Sequence, residues 1–210
     1  MSTETEPTPF AYPNSAHRRR HGPSGYTDYR SYKPWLRDEF EFRCVFCLRR
    51  ERWLDGQASF SVEHLKPNKL APGLDCVYSN LVYSCCRCNS FKQTQWPVLD
   101  PCRNAYATHF RVHDDGTIEG LTRDGKRVIR FLRLDHPDMN EARRRKIFKI
   151  RALWARRHEP DLAEILRDEL GYPTDLPDLA RMEPVANSRE DGVHDCHFER
   201  RRRGELPETY

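Results

Sequence analysis

Four cysteines fall into two pairs with the same two-residue gap, Cys44-x2-Cys47 and Cys85-x2-Cys88. A tetrahedral ion with Zn–S distances of about 2.3 Å needs two close thiolates from each of two chain segments, and this spacing supplies them. The four residues therefore predict a structural zinc site. The competing readings are four unrelated thiols or one redox pair, and a redox pair calls for a thioredoxin-like βαβ context that is absent here. Cys86 adjoins Cys85, but only Cys85 keeps the two-residue gap to Cys88. Cys76, Cys102 and Cys196 have no partner at usable spacing and read as ordinary thiols.

The loop that this metal would close holds a carboxylate beside an imidazole, Glu63-His64, at the end of the strand-like run SFSVEHLKP. On a strand, neighbouring side chains point to opposite faces, so the two do not form a simple surface pair. Pro67 keeps the run from continuing as an inner strand. Alone, such a pair is more often a solvated turn than a site. Its surroundings change that reading. In order, the chain runs C-x2-C … EHLKP … NLVYSC-x2-CN-x2-K, from Cys44 through Asn80 and Asn89 to Lys92.

This order resembles the HNH endonuclease family, in the zinc-containing branch where asparagine replaces the last histidine. The resemblance implies an α+β fold with a ββα-metal (HNH) nuclease core, a two-stranded hairpin and a helix around one divalent cation. Here that core would be stapled by the four-cysteine zinc site, with a hairpin and C-terminal helices appended. It implies a metal-dependent endonuclease that hydrolyses DNA phosphodiester bonds. Glu63 and Asn89 would ligate a catalytic Mg²⁺ or Mn²⁺, hard ions that suit oxygen donors. His64, with a reference pKa of about 6.5, would be the general base. Asn80 would fix the loop and orient the imidazole, and Lys92 would contact phosphate. Glu63 departs from the aspartate that many relatives carry, which puts cation choice and rate in question. The alternatives are a zinc-stabilised nucleic-acid-binding module without catalysis, or a nuclease that cuts RNA.

The elements that must position these residues are short. A helix is expected over 35–42, strands at 60–62 and 81–83, and a helix from Ser84 as N-cap. HFRVHDDGTIEGLT reads as a hairpin around Asp115-Gly116, and RVIRFLRL leans to helix. The MNEARRRKIFKIRALWARR stretch is helical, with Ile147, Phe148, Ile150, Leu153 and Trp154 as its buried side. Another helix opens at Pro160-Asp161, with Asp161 and Glu164 as a capping-box-like pair and Gly171 at its end. His109 and His113 read as a chance pairing on a hairpin edge, and the histidines at 136, 158, 194 and 197 have no ligand context.

The division that follows is a disordered arm over 1–28, the nuclease core over 29–101, the hairpin and helical extension over 102–172, and a flexible basic tail over 173–210. The chain has 210 residues, 32% of them charged and 37% hydrophobic, so its core is small for its length. No apolar run approaches the roughly 18 residues of a membrane span, and the N-terminus lacks the apolar segment of a secretory signal. A cytoplasmic, reducing setting is the expectation, which favours metal ligands over disulfides. The formal net charge of +4 permits a nucleic-acid partner without arguing for one. The arginine-rich helix over 143–157 and the terminal arginine clusters are the expected source of phosphate affinity.

Overall fold

In chain order the elements are β1 (Pro23–Ser24), α1 (Lys33–Glu39), β2 (Phe60–His64), β3 (Leu81–Cys85), α2 (Cys86–Lys92), β4 (Phe110–Val112), β5 (Ile118–Gly120), α3 (Arg123–Leu132), α4 (Pro137–Ala155), α5 (Pro160–Leu170), β6 (Ala186–Asn187), α6 (Asp191–His194) and α7 (His197–Arg202). These are the elements of a computed structural model that describes residues 5–210. The described residues form a mixed α and β fold with three two-stranded sheets and a buried cluster of four cysteines.

The central unit is the antiparallel pair β2–β3, in register from Phe60 opposite Cys85 to His64 opposite Leu81. Its strand formers are aromatic and β-branched, and the Phe60 and Tyr83 rings stack diagonally across it at 4.9 Å. All five residues of β3 are buried. The chain passes straight from Cys85 into α2, which packs back on both strands. Ser84 is thus a strand residue, and the N-cap position falls to Cys85, without a side-chain cap.

Helix α1 ends at Phe40, and Glu41 and Phe42 then adopt left-handed φ values of 52° and 55°. These turn the chain into the Cys44–Cys47 segment, with the buried Phe42 amide donating to the Arg37 carbonyl at 2.8 Å. Beneath β3, Arg37 forms two hydrogen bonds to Glu51, which also accepts from Tyr83 Oη at 2.6 Å.

The β4–β5 hairpin turns at Gly116, whose φ is 82° and where a Cβ would meet the Asn140 carbonyl oxygen at 2.2 Å. Glycine is required there. Thr122 caps α3 by accepting from the Gly125 amide. Helices α4 and α5 share a small core of Ile150, Leu153, Leu166 and Leu170. Phe148, expected on the buried side of α4, is 71% exposed. The inward stripe is Arg143, Ile147 and Ile150, and Phe148 lies about 100° around the helix from Ile147. The Asp161/Glu164 capping box is not formed, since α5 is preceded by Glu159 without a side-chain cap.

Two further expectations are corrected. The 1–28 arm, over its described residues, and the 173–210 tail are packed rather than disordered. Phe10 and Tyr12 are buried in the main core, and β1 pairs with β6. Both segments converge on adjacent buried carboxylates at the end of α1. Asp38 accepts from His21 Nε2 and His197 Nδ1, each at 2.8 Å. Glu39 accepts from His17 Nε2 at 2.6 Å, from the Arg20 and His21 amides, and from Tyr78 Oη. Burial alone would raise both carboxyls. The donors outweigh it, holding Asp38 well below the usual range and Glu39 at about 2. Buried charges tolerate the interior only when paired in this way.

Candidate functional site

The Sγ atoms of Cys44, Cys47, Cys85 and Cys88 lie within 4.8 Å of one another, and all four residues are buried. Among the described residues they are the one group of three or more His, Cys, Asp or Glu side chains close enough to share an ion. Cys47 and Cys85 Sγ are 3.7 Å apart. A tetrahedron with Zn–S bonds of about 2.3 Å has edges of about 3.8 Å, so the cluster has the dimensions of a zinc site. The two segments are held in place by their backbones. The Leu48 amide donates to the Cys44 carbonyl, the Cys44 amide to Arg49, and the Val45 amide to Tyr83 on β3.

The thiols also show why a cation suits them. Burial would raise the Cys44 thiol, yet hydrogen bonds from Cys47, Cys85 and Cys88 pull it well below its ordinary value. Those same contacts with Cys44 and Cys47 push Cys85 and Cys88 up. Among themselves the thiols do not share several negative charges, whereas a dication accommodates four thiolates. Cys86 is exposed, with its Sγ directed at the Ala58 carbonyl 3.9 Å away.

Ser61 and Glu63 alternate onto one face of β2, and α2 presents Asn89 and Lys92, three residues apart, to that face. Asn89 Nδ2 donates to Ser61 Oγ at 2.7 Å. The Lys92 ammonium, 0% exposed, lies 3.1 Å from Glu63 Oε1 and also donates to the His64 carbonyl. Glu63 Oε1 further accepts from the His64 amide. Lys92, expected to contact phosphate, is buried on Glu63. Burial raises the Glu63 carboxyl despite Lys92, and lowers the Lys92 ammonium despite Glu63. The acceptors gathered here are oxygens, the Glu63 carboxylate, the His64 carbonyl and the Ser61 hydroxyl, with the Asn89 amide beside them. Such a set fits a hard divalent cation that keeps part of its water shell, and it already holds one positive charge.

His64 lies on the other face of β2. Its Nε2 is 3.0 Å from the Asp75 carbonyl oxygen and 3.1 Å from Asp75 Oδ1, and its ring meets Tyr29 edge-on at 4.7 Å. A carbonyl oxygen can only accept, so Nε2 carries the hydrogen and Nδ1 holds the lone pair of the neutral ring. Asp75 is the partner that sequence reasoning missed. It sits eleven residues downstream in a loop of short 3₁₀ turns, and no spacing rule links it to His64.

Asn80 does not touch the imidazole. Its Oδ1 accepts from the Lys66 amide, its Nδ2 donates to the Lys66 and Leu74 carbonyls, and its own carbonyl accepts from the Leu65 amide. These bonds tie both ends of the 65–74 loop together and thereby set where Asp75 enters. The chain thus gathers Glu63, Asn89 and Lys92 on one face of β2, and His64 with Asp75 on the other.

No family model matches the chain. It is 30% identical over 101 residues to the Septu protein PtuB of Bacillus thuringiensis, a match that covers 46% of this chain. The chain spans 38% of that relative's length. No helix of the described residues is long and apolar enough to cross a membrane.

Proposed function

We propose that the chain is a metal-dependent endonuclease of the HNH kind that hydrolyses DNA phosphodiester bonds, with β2, β3 and α2 as a ββα-metal core stapled by zinc on Cys44, Cys47, Cys85 and Cys88. The observation that carries the reading is His64. Its Nε2 is fixed by Asp75 while Nδ1 keeps a lone pair, one residue from the Glu63 carboxylate. His64 Nδ1 takes the proton of the attacking water, and Asp75 steadies the imidazolium that results. Glu63 and Asn89 would hold Mg²⁺ or Mn²⁺, which when bound would supply positive charge at the scissile phosphate and the leaving 3′ oxygen. Asn80 supports the loop that carries Asp75. The products carry a 5′-phosphate and a 3′-hydroxyl.

One observation favours a second reading, a zinc-stabilised module that binds nucleic acid without cutting it: the Lys92 ammonium already neutralises Glu63. The experiment that separates them is incubation of purified protein with supercoiled plasmid in Mg²⁺, in Mn²⁺, and without a divalent ion. Divalent-dependent relaxation or linearisation supports the nuclease. Plasmid that is retarded in a gel yet intact under every condition supports the binding module. An RNA substrate in parallel separates a DNA-cutting from an RNA-cutting enzyme.

A further inference from the structure

The basic residues of this chain divide into those already answered by the protein and those that are not. On the arginine-rich α4, Arg144 and Arg145 pair with Glu141 at 2.7 and 2.6 Å, and Lys146 and Lys149 pair with Glu169 at 2.6 and 2.7 Å. Arg151 pairs with Glu6 and Asp114, and Arg143 is buried on the Gly116 and Leu134 carbonyls. Near the N-terminus, Arg19 donates inward to the Leu81 carbonyl and Arg20 lies on Asp38. The charges that sequence reasoning assigned to phosphate are thus largely spent inside the fold.

Helix α3 differs. Arg123, Lys126, Arg130 and, just past its end, Arg133 are exposed, and none has a carboxylate partner among the described residues. The spacing of three and four residues keeps Arg123, Lys126 and Arg130 on one stripe, away from the buried Val128 and Leu132, while Arg133, left-handed at φ 48°, turns from the helix end onto α2. An open depression of ≈ 640 Å³ beside the stripe is lined by Arg123, Lys126, Arg127 and Arg130. The stripe continues onto α2, which packs against both α3 and β2. There the guanidiniums of Arg87 and Arg133 both lie on the Phe91 ring, at 4.8 and 5.1 Å, and Arg87 Nη1 is buried with no hydrogen-bond partner. Two like charges held on one ring, one with an orphaned donor, are arranged for an anion.

We infer that the α3 stripe, together with Arg87 and Arg133 at the α2–α3 contact, is the surface that tracks the phosphate backbone of duplex DNA, and that the arginine-rich α4 is not. The stripe from Arg123 to Arg133 is about 15 Å long at 1.5 Å per residue, a length along which one DNA strand presents roughly four phosphates. Four cations face it. The choice of DNA as occupant rests on the endonuclease reading, but the surface is tested by binding rather than by cleavage.

Fluorescence anisotropy with a 20-base-pair duplex, without added Mg²⁺ or Mn²⁺ and over a series of salt concentrations, reads the surface directly. The triple variant Arg123→Ala/Lys126→Ala/Arg130→Ala should bind about a hundredfold more weakly at 0.1 M salt, with the log–log salt slope reduced by about 3. Arg144→Ala/Arg145→Ala should bind as the parent does. Zinc content and melting temperature, unchanged in both variants, exclude unfolding as the cause. Parental affinity and slope in the α3 variant, or an equal loss in the α4 variant, overturn the inference. So does α3-dependent binding to anionic lipid vesicles with none to the duplex. If the surface binds DNA as inferred but plasmid is never cut, the endonuclease reading fails while this one stands; cleavage with α3-independent binding gives the reverse.

Discussion

Replacing Lys92 by methionine removes a positive charge of nearly the same length and leaves Glu63 facing it alone. At 3.1 Å the pair attracts by about 5 kcal/mol at an effective dielectric constant of about 20. Yet burial raises the Glu63 carboxyl and lowers the Lys92 ammonium, so dehydration offsets much of that attraction for both partners. Two consequences follow from this balance. Lys92→Met alone should lose about 3 kcal/mol of stability, the usual scale for stranding one member of a buried pair. The double variant Glu63→Gln/Lys92→Met should recover most of it, because neither charge is then stranded. If the oxygens around Glu63 accept a divalent cation, the ion takes the place of the ammonium. Mn²⁺ at about a hundred times its dissociation constant should then return roughly 2.7 kcal/mol to Lys92→Met. The parent should gain less, since its ammonium must leave first. Urea unfolding with and without Mn²⁺ measures the stability changes, and the Mn²⁺ electron-paramagnetic-resonance signal measures binding. A Lys92→Met variant as stable as the parent, or one with no stronger Mn²⁺ binding, would refute the reasoning.

The remaining predictions concern the four-cysteine cluster and the buried acids. Cys85→Ser should lose the tightly bound zinc and the cooperative unfolding transition together, because structural zinc binding is coupled to folding, while the exposed Cys86→Ser keeps both. Elemental analysis showing zinc retained in Cys85→Ser and lost in Cys86→Ser would reverse the ligand assignment. Asp38 and Glu39 have folded-state values below their ordinary ones, so the native state binds fewer protons and their contribution is whole above about pH 4.5. It should drain away as the pH falls toward about 2, with Glu39 alone accounting for ~3 kcal/mol as an order of magnitude. A urea midpoint that stays constant from pH 6 to pH 3 would contradict this, and His17→Ala should flatten the decline by removing a Glu39 partner.

The four-cysteine cluster was legible because a two-residue gap is a local geometric requirement. Cys85 and Cys88 meet Cys44 and Cys47 as the spacing implied. The strands β2 and β3 and helix α2 were legible for a similar reason, with short-range patterning fixing each within a few residues, whereas the pairing of the two strands came only from the resemblance. Asp75 was not legible, because its position beside His64 depends on how the 65–74 loop is tied by Asn80. The ordered arm and tail were hidden by their composition. Proline and arginine usually signal disorder, and here His17, Arg20, His21 and His197 are held by Asp38 and Glu39, partners 17 to 159 residues away in sequence. On α4 the partners are mixed in range: Arg151 meets Glu6 and Asp114, and Lys146 and Lys149 meet Glu169, across the fold, while Arg144 and Arg145 meet Glu141 within their own helix. Phe148 failed through a shorter route: apolar character was read as burial although its helical position faces away from the core.

The central claim is that His64 is the base of a phosphodiester hydrolysis, and the rate at which His64→Ala cuts supercoiled plasmid tests it most directly. In saturating Mg²⁺ or Mn²⁺ the variant, with parental zinc content and parental duplex affinity, should cut at least about a hundredfold more slowly than the parent. Added metal should not restore it, because the missing step is proton abstraction. His64→Ala cutting at the parental rate would contradict the account.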